Sequence, residues 1–149
     1  MVPSATAPGE IVINGMSLSR RDSKYANSGT VVSVQPQDFK DPSNPLSGVH
    51  FQQKLEQSIF RAGDGSQRAP AQRLTDFISG KLSTTIQESS YIPGHWSAPL
   101  HELLPSFIVQ SLKEGIKIFG KKMKGYLTED ALVVAPESRT SSPIRIPRN

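Results

Sequence analysis

Ala131-Leu-Val-Val-Ala-Pro-Glu-Ser-Arg-Thr-Ser-Ser-Pro-Ile-Arg145 is the stretch that decides the fold. Its first five residues, Ala131 to Ala135, form a short apolar run, which is typical of a buried strand. The strand leads into a loop that is dense in polar side chains. Within seven positions this loop carries two arginines and three hydroxyl residues, namely Arg139, Thr140, Ser141, Ser142 and Arg145. Pro143 keeps the residue before it out of the helical region, so the loop is predicted to be stiff.

This polar loop has the chemistry of a binding site. Each guanidinium presents a fixed fork of N–H donors, and each hydroxyl can donate or accept a hydrogen bond. An anionic ligand, or one with many acceptors, would suit such a set. The residues alone leave open a simpler interpretation, a surface turn followed by a basic tail, because short polar motifs also arise by chance.

Two further strands are predicted towards the start of the chain. Residues Glu10 to Asn14 alternate well enough for a strand, and Thr30 to Gln35 is rich in β-branched residues. The connection between them, Met16 to Gly29, is polar and longer than about twelve residues, a length that favours a binding loop. A solvated connection between two strands is the other interpretation, and the residues alone do not decide between them.

Two helices are predicted in the first part of the middle of the chain. The first begins after its capping residue Ser47 and ends at Gly63, with apolar residues at helical spacing. A second, shorter helix is predicted from Ala71 to Ile78, because Pro70 suits a helix start and Gly80 suits a helix end.

The segment Glu102 to Lys124 has the strongest helical signal. Its apolar residues recur at three- and four-residue steps, so one face is apolar over several turns. Pro105 is expected in the first turn, where proline is tolerated. The opposite side and the end carry Lys113, Lys117, Lys121, Lys122 and Lys124. We expect the main core helix with a solvated lysine face; the alternative is a stand-alone basic module that binds an acidic protein partner or an anionic surface.

The composition limits the classes of protein and of site. The chain has 149 residues, the size of one ordinary domain, and it has no cysteine, which excludes disulfides and cysteine–zinc sites. The three histidines, His50, His95 and His101, lack the close pairing of a ligand set, so no metal site is predicted. No apolar run approaches the eighteen or so residues of a membrane span, and no signal pattern is present. The expected location is cytoplasmic.

The net charge of +4 and the pI of about 9.5 would permit contact with nucleic acid. The charge is spread along the chain, however, and no basic patch is interleaved with aromatic residues of the kind that stack on bases. We therefore do not expect a nucleic-acid partner.

Several motifs resemble one protein family. The segment Glu137-Ser-Arg-Thr-Ser-Ser-Pro-Ile-Arg-Ile146 resembles a segment of the FAD-dependent dehydrogenases, a family of large bacterial flavoproteins. Asn14-Gly-Met-Ser17, followed by Arg21-Asp22 and Ala26-Asn-Ser-Gly29, resembles the same family in the same order. Further similarity brings the resemblance to nearly the whole chain. It covers only an internal or C-terminal part of the family's full length.

The resemblance implies that residues 1–149 are a single domain excised from a larger FAD-dependent oxidoreductase. This domain would hold the substrate or cap region and the strands that return to an FAD-binding domain outside this sequence. The implied flavin contacts are Arg139, Thr140, Ser141, Ser142 and Arg145. The implied substrate-side residues are Asn14, Met16, Ser17, Arg21 and Asn27. The substrate itself is not indicated.

Together the predicted elements indicate an α+β fold, with terminal strands that pair into a mainly antiparallel sheet and a helical middle. The sequence has no Gly-x-Gly-x-x-Gly turn, so the phosphate-binding loop of a dinucleotide-binding domain is expected outside this chain. We therefore expect FAD in the complete protein and weak or no FAD binding by this chain alone, which would be inactive. Its expected partner is the FAD-binding domain of the same polypeptide.

Overall fold

The protein has an α+β architecture, as the sequence predicts. The computed structural model describes residues 1–16 and 19–138. The strands within these residues are β1 (Val2–Pro3), β2 (Ile13–Asn14), β3 (Ala69–Arg73), β4 (His95–Ser97) and β5 (Leu132–Val134). The helices are α1 (Ser47–Ala62), α2 (Leu74–Ser79), α3 (Leu100–Leu103) and α4 (Ser106–Lys122), and a 3-10 turn spans Pro36–Asp38.

The central strand β3 organises a three-stranded sheet in the order β4-β3-β5. It runs parallel to β4 and antiparallel to β5, so that Ala71 lies opposite Ser97 on one side and Val134 on the other. Strands β1 and β2 form a separate antiparallel pair. The predicted strand at Ala131 to Ala135 is therefore confirmed, but it pairs with β3 and not with the N-terminal strands. Among the described residues, a backbone hydrogen bond from the Ile13 N–H to the Pro136 carbonyl at 2.8 Å joins the N-terminal segment to the segment after β5.

The predicted helix from Ala71 to Ile78 is wrong in its first half, because β3 occupies Ala69–Arg73 and α2 begins only at Leu74. Pro70 does not exclude a strand here. Its carbonyl accepts a hydrogen bond from the Ala135 N–H at 3.3 Å. Because proline has no N–H, the ladder lacks the bond that Pro70 would donate, but it keeps the bond that Pro70 accepts. The predicted helix end at Gly80 is confirmed, since this residue caps α2 with φ +69°.

The predicted helix from Glu102 to Lys124 is divided in two. Leu104 is extended and Pro105 has φ −53° and ψ 137°, so α3 ends before them and α4 begins after them. The residue before a proline is disfavoured in the helical region, which accounts for the break. On α4 the side chains of Lys117, Lys121 and Lys122 are exposed, as a solvated lysine face requires.

The predicted strand at Thr30 to Gln35 is not formed in the structure. The run has strand-like composition, yet no described strand lies beside it to complete a ladder, and Val31 is 69% exposed. Strand propensity measures how well a side chain packs on a pleated, half-buried surface, and here that surface is missing. Strand β2 is likewise shorter than the predicted Glu10 to Asn14.

The core has two parts, one on each face of β5. The larger part packs the helices against the sheet; its buried residues are Ile11, Ile59, Leu74, Phe77, Ala98, Leu100, Leu104, Val109, Ile116 and Ala135, and Val133 packs against it. The smaller part contains Ile13, Ala69 and Tyr91, with Val134 packed against it. Successive strand residues face opposite ways, so Val133 and Val134 join different parts of the core. Helix α1, confirmed from Ser47–Ala62, contributes Ile59. Within the described ranges no helix has the length and apolar character needed to cross a bilayer.

Two glycine substitutions test the helix ends and interiors. Gly80 has φ +69°, so Gly80→Ala places a side chain in the left-handed region and should lower the free energy of unfolding by about 1–2 kcal/mol. Gly115→Ala, inside α4, meets no atom within 4 Å and should raise it by about 0.5–1 kcal/mol. Urea denaturation measures both. Equal effects of the two variants would contradict the assigned cap.

Candidate functional site

One concave feature of the described residues is a cavity of about 980 Å³. It is lined by the segment from Tyr25 to Val34, by apolar residues of α1 and α4, among them Leu55 and Leu112, and by β5 with the residues that follow it up to Ser138. Clefts of this size with mainly apolar walls are the usual form of sites for small molecules and cofactors.

Aromatic rings cluster at one wall of this cavity. The Phe39 and Phe51 ring centroids lie 5.6 Å apart, and Phe51 contacts Phe107 of α4 at 6.2 Å. A Cβ atom added at Gly48 would lie 3.3 Å from the Phe39 ring, so the glycine lets this ring approach α1 closely. The wall is therefore apolar and tightly packed, which suits an uncharged ring or hydrocarbon group.

The charged side chains of the cavity are acidic. Its described lining includes the carboxylates Glu88, Asp130 and Glu137, and within that described lining there is no Lys, Arg or His. The amino group of Met1 is also at the cavity, where it donates to Ser90 Oγ at 2.9 Å. Carboxylates repel a phosphate or a carboxylate ligand. The described part of the cavity thus fits a neutral or cationic group better than an anionic one.

Asn27 and Gly15 meet Glu137 at one end of the cavity. A Cβ atom at Gly15 would lie 3.4 Å from Asn27 Oδ1 and 3.5 Å from Glu137 Oε2, so these two polar atoms lie close to the Gly15 backbone. The Asn27 side chain donates from Nδ2 to the Met16 carbonyl at 3.1 Å, which ties the two sides of the predicted binding loop together. Sequence reasoning missed Glu137 as a site residue, although it lies within the segment that carries the family resemblance.

The other predicted residues divide into two groups. Asn14, Met16 and Arg21 are exposed and lie outside the cavity lining, although Met16 is bonded to Asn27 through its carbonyl. Arg21 has φ +53°, an uncommon backbone conformation for a residue other than glycine. Ser17 and the predicted flavin contacts Arg139, Thr140, Ser141, Ser142 and Arg145 lie outside the described residues.

A buried carboxylate anchors the end of the β5 segment. Glu56 of α1 is 0% exposed, and its Oε1 accepts hydrogen bonds from Gln52 Nε2 at 2.8 Å and from Ser138 Oγ at 2.5 Å. Buried carboxylates are tolerated when they are bonded in this way. Ser138 lines the cavity and directly precedes Arg139 in the sequence. Glu56 therefore fixes the point from which the predicted flavin-contacting loop leaves.

Thr6 lies between the buried carboxylate of Glu56 and a second buried carboxylate, that of Glu10. Its hydroxyl lies 2.7 Å from Glu10 Oε2 and 3.4 Å from Glu56 Oε2. The Thr6 hydroxyl is the largest influence on Glu10 and holds its pKa below the ordinary value, while burial acts in the opposite direction. Hydrogen bonds from Gln57 Nε2 and from the Ala7 N–H lower this pKa further.

A separate polar cluster around Gln72 belongs to the scaffold. Gln72 of β3 is fully buried, donates from Nε2 to the Lys81 carbonyl at 2.6 Å and lies 2.8 Å from His101 Nδ1. Because Nε2 donates both hydrogens, His101 Nδ1 is the acceptor. The cluster joins β3 to α3 and does not line the cavity. In the described ranges no group of three His, Asp or Glu side chains is arranged to hold a metal ion.

Comparison with known proteins gives two findings. A family model described as "FAD-dependent protein, C-terminal domain-like" matches residues 1–140. An uncharacterized protein of Clostridium beijerinckii is 45% identical over 151 residues, an alignment that covers 100% of this chain and 28% of the relative. The chain thus spans 28% of the length of this relative.

The Thr6 contact predicts a pH dependence of stability. A lowered folded-state pKa means that Glu10 stabilises the fold above its unfolded pKa, and that this contribution is lost as the pH falls through the folded-state pKa. Thr6→Val should therefore reduce the free energy of unfolding at pH 7 and make its decline in acid shallower. Urea denaturation between pH 7 and pH 3 measures this, with Thr84→Val at an exposed position as the matched control. An unchanged acid profile in Thr6→Val would overturn the assignment.

Proposed function

This chain belongs to the FAD-dependent protein, C-terminal domain-like family, and we propose that it forms the substrate-side domain of a FAD-dependent oxidoreductase. The observation that carries the proposal is the family match, which extends from residue 1 to residue 140. The cavity supports it, because an apolar cleft next to the predicted binding loop is a suitable place for a ring and its substrate.

The residues present fit one part of FAD and not another. The dinucleotide's pyrophosphate needs a glycine-rich turn with N–H groups or a set of cations, and the sequence has no such turn. The carboxylates Glu88, Asp130 and Glu137 also disfavour a pyrophosphate in the described part of the cavity. The apolar walls and the aromatic cluster fit an uncharged ring. We therefore assign the pyrophosphate site to the remainder of the polypeptide.

When bound, FAD supplies the electron-transfer chemistry. The role of this chain is to surround the reacting groups. The apolar side chains of α1 and α4 exclude water from the cavity, and Gly15 leaves space beside Asn27 and Glu137. Asn27 holds the loop in place through the Met16 carbonyl and presents its Oδ1 at the cavity.

The assignments carried by the family resemblance remain part of the proposal. We propose Arg139, Thr140, Ser141, Ser142 and Arg145 as flavin-contacting residues, and Glu56 supports them by holding Ser138. Asn14, Met16, Ser17 and Arg21 remain proposed for the substrate side together with Asn27. Of these, Asn27 has the best structural support because it lines the cavity.

The proposed function is tested in the complete protein. We expect it to purify with about one FAD per chain, detected by the visible absorbance of flavin. Asn27→Ala removes one hydrogen bond that fixes the loop and should weaken FAD binding about fivefold, the equivalent of about 1 kcal/mol. Gln110→Ala, which removes an exposed amide on α4, is the control and should bind like the wild type.

The two possible failures of this experiment have different meanings. A complete protein that neither retains nor rebinds FAD would refute the proposed function. A complete protein that holds FAD equally well with and without Asn27→Ala would refute only the role of this residue.

The isolated chain provides a second test. Because the pyrophosphate site is assigned elsewhere, residues 1–149 alone should bind FAD weakly or not at all in isothermal titration calorimetry. Tight, stoichiometric binding of FAD by this chain would show that it contains a phosphate site of its own and would contradict the division proposed here.

A further inference from the structure

The outer edge of β5 has backbone groups that face away from the sheet. The Leu74 N–H donates to the Ala131 carbonyl at 2.9 Å, and the Ala135 N–H donates to Pro70. Residues 131, 133 and 135 therefore direct their backbone groups towards β3, with Val133 opposite Gln72. In an antiparallel ladder the residues between them, Leu132 and Val134, direct their N–H and C=O groups the other way.

This outer edge opens into the cavity. Leu132 and Val134 both line it, and β5 is the last strand of its sheet within the part of the chain that the structure describes. A row of unpaired N–H and C=O groups is a template for another strand, and folded proteins usually cover such an edge.

The run from Thr30 to Gln35 has the composition of a strand, and its residues 30–34 line the same cavity as β5. Val31 and Val32 line the cavity, but the run forms no strand. It is held at its start, where Thr30 Oγ1 and the Tyr126 hydroxyl lie 3.2 Å apart. The cavity is thus lined by one strand edge and one strand-like segment, and an added strand could form a ladder with either of them.

We propose that the outer edge of β5 binds a β-strand from the part of the flavoprotein outside this chain. This inference rests on the proposed function in one respect, that the chain is one domain of a longer polypeptide. The Clostridium relative is such a longer protein, since the alignment covers only 28% of its length. A strand of ordinary length, about five to six residues, would satisfy Leu132 and Val134, and it must end before Pro136, whose carbonyl already accepts from the Ile13 N–H. It carries apolar and neutral or basic side chains, because Glu88, Asp130 and Glu137 line the same cavity.

Hydrogen exchange in the complete protein tests the pairing directly. The Leu132 and Val134 amides should exchange about as slowly as those of Val133 and Ala135, and the amides of the Thr30 to Gln35 run should also be protected. Exchange of Leu132 and Val134 as fast as in exposed loops, beside slow exchange of Val133 and Ala135, would overturn the proposal.

Two proline substitutions distinguish pairing at the outer edge of β5 from pairing with β3. Val134→Pro removes an outward N–H and leaves the bonds to β3, so the complete protein should fold and lose protection at Leu132 and in Thr30 to Gln35. Val133→Pro removes the inward N–H opposite Gln72 and should destabilise β3 and β5 together. Equal loss of protection throughout the sheet in both variants would count against a partner on the outer edge.

Photo-crosslinking identifies the occupant. A benzophenone amino acid at position 132 of the complete protein should crosslink to a peptide outside residues 1–149, found by mass spectrometry. A crosslink to Thr30 to Gln35, or to Leu132 of a second copy, would overturn the proposal. The crosslinking result is independent of the cofactor test. A complete protein that holds FAD but gives no such crosslink refutes only the proposed strand pairing. A complete protein that gives the crosslink but holds no FAD refutes only the proposed function.

Discussion

The two-sided pairing of β3 is the constraint on which the rest of the structure depends. This strand joins β4 on one side and β5 on the other, so three segments that are far apart in the sequence meet at Ala69–Arg73. Ala69 and Ala71 are fully buried on the same face of β3, and their small side chains let the layer that covers this face approach closely. The position of β5, and of everything that follows it, is therefore set by a strand about sixty residues earlier.

The candidate site follows from this arrangement. On β5, Val133 packs against the larger, helical part of the core and Val134 packs against the smaller part. This fixes the register of the strand, because a slip by one residue would exchange the two faces. Beyond the strand, the Ile13 N–H binds the Pro136 carbonyl and Glu56 binds Ser138. The chain that leads into the predicted flavin-contacting loop is thus held by a strand, a backbone bond and a buried carboxylate in succession.

The sequence predicted the elements whose signal lies in their own side chains. Helix α1 and the apolar face of α4 show helical spacing, and β5 is a continuous apolar run, so each was found close to its true position. Strand β3 was missed because Ala, Pro and Gln have no strand preference and the strand exists through its two partners. The wrong prediction at Thr30 to Gln35 has the opposite cause. This run has a strong strand preference, but no described strand pairs with it.

The same distinction applies to the site. Asn27 could be found because its segment resembles a known family, and the structure places it in the cavity. Glu56 could not be assigned a role, since on a helix it reads as an ordinary polar position, and its importance comes from Ser138, which lies 82 residues away in the sequence. Arg21 carries the more obvious chemistry but is exposed away from the cavity lining.

The distribution of charge supports the proposal that the phosphates of FAD are held outside this chain. The whole chain has a net charge of +4, yet the charged side chains in the described lining of its cavity are carboxylates, while Lys117, Lys121 and Lys122 of α4 are exposed. A site of this kind cannot retain an anionic dinucleotide through its described residues. It can shape the space around an uncharged ring, provided that another domain holds the phosphates. The lack of a phosphate site among the described residues and the uncovered edge of β5, both at the same cavity, support the proposal that polypeptide outside this chain completes it.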